Sequence, residues 1–210
     1  MSWSDRFSPS VKSLAPSGIR RFFDIAAEMT GVISLGVGEP DFITPWHIRE
    51  SCIHSLEQGY TSYTANLGLI ELREEISNHF LDEHQIKYNP KDEILITVGV
   101  SEGLDLALRT IVCPGDEVLI PEPCYVSYKA CVSLAGGIPI TVPTSIETEF
   151  RITVEQLEKY VTPKTKALII GYPNNPTGAI MPREELLKIA DFAQRHDLIV
   201  ISDEIYSNLT

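Results

Sequence analysis

Leu69, Leu72, Ile76 and Phe80 recur at steps of three and four, with Glu71, Arg73, Glu74 and Glu75 between them. That spacing predicts an amphipathic helix following Gly68. From about residue 66 onward such helical stretches alternate with short apolar runs, the signature of βαβ units. Ile94–Val98, apolar apart from Thr97 and followed by Gly99, predicts a strand covered on both faces. Leu104, Leu108 and Ile111 mark the next helix, stopped by Pro114-Gly115. Further strands are predicted at about 117–120, 138–142, 167–170 and 198–202. Between them lie a helix over 125–135 ended by Gly136-Gly137, a short helix with capping-box spacing at Thr153 and Gln156, and a helix opening on Pro182. In that last helix Leu186, Ile189, Ala190 and Ala193 are expected to face inward. Five strands joined by helices imply a mostly parallel sheet. The first 45 residues, rich in glycine and proline, make a poor core segment and read as an arm leading into the domain.

Composition narrows the function classes. The chain has 210 residues, 43% of them hydrophobic, enough for one globular domain with a core. A formal net charge of −12 argues against a broad grip on nucleic acid or an anionic membrane, since phosphate backbones need a basic surface to replace their counterions. A single phosphate held by backbone N–H groups at a helix start stays compatible with that charge. The opening MSWSDRFSPS lacks the basic segment and apolar core of a signal peptide, and no apolar run approaches the roughly 18 residues of a membrane span, so a cytoplasmic protein is expected. Cys52, Cys113, Cys124 and Cys131 form no C-x-x-C pair and have no histidine at zinc spacing; buried reduced thiols are expected and no metal.

In an open parallel sheet ligands gather beyond the carboxyl ends of the strands, and three such places stand out. Val98-Gly99-Val100-Ser101-Glu102-Gly103 passes from strand to helix through small residues. There Ser101 can cap the helix, and the N–H groups of Val100, Ser101 and Glu102 would face an anion favoured by the helix dipole. Taken alone, an ordinary strand-to-helix turn is the better reading of that segment. Tyr172-Pro173-Asn174-Asn175-Pro176-Thr177-Gly178 follows the fourth strand, and its Asn-Asn-Pro-Thr-Gly string is more particular than a rigid turn requires. Ser202-Asp203-Glu204-Ile205-Tyr206 follows the fifth. An aspartate leaving an apolar strand wants a cationic partner, although Asp203 could equally cap a following helix.

In order, Gly36-Val37-Gly38-Glu39-Pro40-Asp41-Phe42, Tyr60-Thr61-Ser62-Tyr63, Gly68 with Glu71-Leu72-Arg73, Pro114-Gly115-Asp116-Glu117-Val118, the Asn174–Gly178 string and Ser202–Tyr206 resemble the class I/II aminotransferases, fold-type I pyridoxal-phosphate-dependent enzymes. The resemblance runs from about residue 15 to 210 and covers what would be an N-terminal half. It implies an α/β fold, the large domain of a fold-type I transferase: a mostly parallel sheet flanked by helices, incomplete, with residues 1–45 as an N-terminal arm and part of a small domain and 46–210 as the cofactor-binding large domain. It implies pyridoxal 5'-phosphate as cofactor and a two-stage transfer of an amino group between an L-amino acid and a 2-oxo acid. Asp203 would pair with the ring nitrogen, and Asn175 and Tyr206 would donate to the phenolic oxygen. Tyr125 would stack on the ring, where many relatives use tryptophan or phenylalanine. Val100, Ser101 and Glu102 would cradle the phosphate through their backbone, a glutamate being less expected there than a small or basic residue. Tyr63 would reach the phosphate of a neighbouring subunit in a homodimer with shared active sites, and Gly38 would lie close to the substrate carboxylate.

The family's Schiff-base lysine, which also moves the proton, follows the Asp-x-x-Tyr pair by some tens of residues, and its carboxylate-binding arginine lies downstream as well. None of the lysines at 12, 87, 91, 129, 159, 164, 166 and 188 occupies such a place. A fragment of a chain about twice as long, inactive by itself, is therefore expected, with the strand at 94–98 missing its sheet neighbours. Carbon–sulfur lyases and decarboxylases share these contacts, and regulators have borrowed the same fold as a sensing domain. No helix-turn-helix pattern in residues 1–30 supports the last of these.

Overall fold

A computed structural model of the chain describes residues 3–14, 25, 29, 31, 33 and 42–209. The helices are α1 (Pro9–Lys12), α2 (Trp46–Glu57), α3 (Ile70–His84), α4 (Gly99–Ile111), α5 (Ser127–Leu134), α6 (Val154–Leu157) and α7 (Arg183–Arg195), and the strands are β1 (Glu117–Glu122), β2 (Ile138–Pro143), β3 (Thr165–Gly171) and β4 (Ile199–Asp203). Contacts divide the chain into two compact units, Met1–Pro16 with Val98–Thr210, and Ser17–Thr97. No helix among the described residues is long and apolar enough to cross a membrane.

The first unit holds a four-stranded sheet in the order β2-β1-β3-β4, parallel throughout. Side chains alternate along the central strands β1 and β3, whose two faces are both covered, whereas Ile199 and Val200 of the edge strand β4 are exposed. Val118, Ile120, Ala167 and Ile169 pack with Leu104, Leu108 and Val132 on one face. Leu119 and Leu168 pack on the other with Val142, Ile152, Leu157, Ile189 and Phe192. This two-sided burial is why β1 and β3 read as apolar runs and not as an alternating pattern. The capping box at Thr153 and Gln156 forms as its spacing predicts, each side chain bonding the other residue's backbone N–H. Register sets Gly171 of β3 level with Asp203 of β4, so both strands end at one rim.

Three expectations change. Ile94–Val98 joins no ladder; Leu95 and Val98 are exposed, and the backbone N–H of Ile96 donates instead to the carbonyl of Leu67 at 3.1 Å. Apolar composition makes a strand possible, but a strand exists only where a neighbour supplies the other half of its hydrogen bonds. In α7 the buried stripe is Ile189, Phe192 and Ala193, while Leu186 and Ala190 are exposed. On α3 the buried residues are polar. Arg73 donates to the carbonyls of Pro90 and Lys91, and Ser77 to that of Tyr88, so this helix ties down the 88–91 turn with hydrogen bonds, while Leu69 and Leu72 remain exposed.

Candidate active site at the carboxyl rim of the sheet

A cavity of about 290 Å³ opens beyond the carboxyl ends of β3 and β4. Its lining brings together Val100 and Ser101 of the first turn of α4, Tyr125 and Tyr128, Gly171 and Pro173 after β3, and Asn175, Asp203, Ile205 and Tyr206. Asp203, Asn175 and Tyr206, singled out on chemical grounds, and Tyr125, implied by the family resemblance, thus line one space. They lie at or just beyond the carboxyl ends of three strands, β1, β3 and β4, and the parallel register is what gathers them.

Each is aimed by its local backbone. Asp203, the last residue of β4, accepts a hydrogen bond from the Ile205 N–H at 3.2 Å on Oδ1 and from the Tyr128 hydroxyl at 2.6 Å on Oδ2. The alternative use of Asp203 as a helix cap shrinks to that one contact with Ile205. The twin asparagines divide their work: Asn174 Oδ1 accepts from the Thr177 hydroxyl at 2.8 Å and its N–H at 3.3 Å, closing the turn, whereas Asn175 Nδ2 reaches the Tyr206 hydroxyl at 3.4 Å. Tyr125 and Tyr128 meet edge to face, ring centroids 5.7 Å apart, an arrangement that fixes both rings.

Around α4 the structure differs from expectation. The helix begins at Gly99 (φ +79°), a left-handed conformation that favours glycine, so Ser101 lies inside the first turn and is not its cap. The cap position falls to Val98, which offers no side-chain acceptor. Glu102 does not line the cavity; its carboxylate reaches back to accept from the backbone N–H of Val98, the cap residue itself. Tyr63 belongs to the other unit and is fully exposed, and Gly38 falls outside the described residues.

Tyr128 and Gly171 are site residues that sequence reasoning missed. The available signal was the three-residue spacing from Tyr125 at the start of a helix, which sets two aromatic rings near one another. Burial, with the hydrogen bond to Asp203 and the charge of Asp203 beside it, holds the Tyr128 phenol above the ordinary tyrosine range, so it stays a neutral donor. Burial also pushes the nearby Cys124 thiol up to about 11. The expectation of buried thiols holds for Cys131; Cys52 and Cys113 are exposed.

The donor set suits a planar heterocycle carrying a phosphate. A carboxylate stands where a cationic ring nitrogen can lie, an amide and a phenol stand together on another side, an aromatic ring offers a stacking face, and an uncapped helix start offers amides. None of the ten lining residues is a lysine or arginine that would neutralise Asp203.

Comparison with known proteins bears on the family and the fold. The family model described as aminotransferase class I and II matches residues 30–210. A putative aminotransferase of Bacillus subtilis, YugH, is 58% identical over 203 residues, which are 97% of this chain and 53% of that protein. Aromatic-amino-acid aminotransferase 2 of Thermococcus litoralis is 50% identical over 206 residues, 98% of this chain and 52% of that one. The structure of aspartate aminotransferase from Thermus thermophilus with maleate superposes with a TM-score of 0.90 at 37% identity, over 97% of this chain and 54% of that one. The chain thus spans about half the length of the curated relatives it matches.

Proposed function

The chain belongs to the class I and II aminotransferases, and on that premise we propose that its cavity binds pyridoxal 5'-phosphate for amino-group exchange between an L-amino acid and a 2-oxo acid. The observation that carries the reading is the convergence of Asp203, Asn175, Tyr206 and Tyr125 on one cavity at the rim of the sheet. When bound, the cofactor supplies an electron sink for the substrate's α carbon.

The chain's own residues prepare that sink. Asp203 sets a negative charge against the ring nitrogen and keeps its proton in place. Asn175 and Tyr206 donate hydrogen bonds to the phenolic oxygen from a shared position. Tyr125 covers one ring face and excludes water from it. The first-turn amides at Val100 and Ser101 receive the phosphate with the positive end of the α4 dipole, the arrangement that helix starts offer any anion. Tyr63, extended into solvent in the other unit, is assigned to a phosphate in the partner subunit of a homodimer, and Gly38 to the vicinity of the substrate carboxylate. We further assign residues 1–45 to an arm with part of a small domain, and 46–210 to the cofactor-binding domain.

The test is made in the natural gene product that carries this chain. With pyridoxal phosphate added, it should exchange amino groups between amino acids and 2-oxoglutarate. Relatives named for aspartate and for aromatic amino acids are each 50% identical, so an acidic and an aromatic donor are both assayed. Asp203→Ala should lower the rate by roughly 100- to 1,000-fold, the size of effect seen when one preorganised electrostatic contact is removed. Release of ammonia and pyruvate without exchange would point to a lyase, and wild-type retention of full exchange in the Asp203→Ala variant would defeat the assignment.

A further inference from the structure

We propose that Tyr128 is the positioning residue for Asp203, and that Gly171 lacks a side chain because the Tyr128 hydroxyl occupies the space a β-carbon would need. The proposal rests on the reading of the cavity given above and adds a residue to it.

Three observations carry it. The Tyr128 hydroxyl donates to Asp203 Oδ2 at 2.6 Å, while the Ile205 N–H holds Oδ1 at 3.2 Å, so each carboxylate oxygen has one donor and the plane of the group is set. Tyr128 is itself only 5% exposed, and its ring is held edge-on by Tyr125, so the hydroxyl has little freedom to leave. A β-carbon on Gly171 would stand 2.7 Å from that hydroxyl and 3.5 Å from Asp203 Cβ. The backbone at Gly171 is not in the left-handed region, so conformation does not demand glycine there; space does.

The choice of a phenol has a chemical reason. A lysine or arginine in the same place would also orient Asp203 but would cancel the charge that a cationic ring nitrogen needs. Burial and the neighbouring carboxylate keep the Tyr128 phenol neutral, so it directs the carboxylate and leaves its full charge turned toward the cavity. A hydrogen bond to a charged group is among the stronger kinds, so its loss should be measurable in ligand affinity.

The experiment uses the natural gene product with Tyr128→Phe and, separately, Gly171→Ala, which leaves the tyrosine in place but crowds its hydroxyl off Asp203. Pyridoxal phosphate affinity is measured by visible absorbance. Protonation of the ring nitrogen is read from the ¹⁵N resonance of labelled cofactor. Both variants should bind roughly tenfold more weakly, the equivalent of a lost charge-assisted hydrogen bond, and the ¹⁵N signal should move toward that of the unprotonated ring. If wild type takes up cofactor and both variants match it in affinity and ¹⁵N shift, Tyr128 has no positioning role and the inference falls while the cavity's assignment stands. If wild type takes up no cofactor, the assignment of the cavity falls first and this inference with it. Should Tyr128→Phe fail to fold, Gly171→Ala alone decides between these outcomes.

Discussion

The sheet-bearing unit and the Ser17–Thr97 unit obey different rules of burial. In the first, Leu108, Val118, Leu119, Ile120, Leu168, Ile169 and Phe192 are fully buried, so the central strands β1 and β3 and the helices against them share an apolar core. In the second, α2 buries none of its residues, with Trp46, Ile48, Ile53 and Leu56 all at least half exposed or nearly so, and the buried positions of α3 are an arginine and a serine. Hydrophobic periodicity therefore locates α3 as it does the helices of the first unit, though not α2, and it identifies the buried face only where a layer exists to receive it.

Substitutions can break this contrast. The largest stability effect should come from Phe192→Ala, about 3–5 kcal/mol by urea unfolding, as for other buried aromatics truncated to alanine. Arg73→Ala should cost about 1–3 kcal/mol, because two carbonyls of the 88–91 turn lose their donor. Trp46→Ala should change stability by less than about 1 kcal/mol, as exposed side chains generally do. A Trp46→Ala loss equal to that of Phe192→Ala would erase the contrast between the units.

A pH titration sharpens the comparison from the site's side. Tyr128 is held neutral in the folded state, whereas in the unfolded chain a tyrosine ionises near pH 10, so folding excludes the charged form. That contribution is whole below about pH 10 and is lost progressively as pH rises beyond it. Tyr128→Phe should flatten this alkaline limb of a melting-temperature profile, and an unchanged limb would remove Tyr128 as its source. The smallest effect is in thiol labelling. Exposed Cys52 and Cys113 should react with maleimide before Cys124, whose thiol, raised by burial to about 11, should gain reactivity only as pH climbs. Cys124 reacting as fast as Cys113 at neutral pH would contradict its burial.

What could be read without coordinates divides along the same physical lines. The parallel sheet, its four strands and the rim loops carrying Asp203, Asn175 and Tyr206 follow from apolar runs and from the segments that end them, while Tyr125 follows from the family resemblance alone. Ile94–Val98 is such a run too, yet forms no ladder, since pairing depends on a distant partner that a local pattern does not contain. Tyr128 escaped for a related reason. Its importance lies in a hydrogen bond to a residue 75 positions away, and nothing in its neighbours announces that partner. Arg73 and Ser77 escaped because burial of a polar side chain depends on backbone carbonyls left over by a turn, which only the assembled chain reveals.

The division of labour between Asn174 and Asn175 bears on how variation at this rim should be interpreted. Identical letters side by side invite the assumption that they tolerate the same exchanges. Yet an altered residue at 174 would act by deforming the loop that carries its neighbour, whereas one at 175 would leave the loop in shape and alter only what a bound molecule meets. Two alleles differing by a single position could then share a phenotype in one assay and have opposite prospects of rescue: the first by any change that stiffens the loop, the second only by restoring the amide.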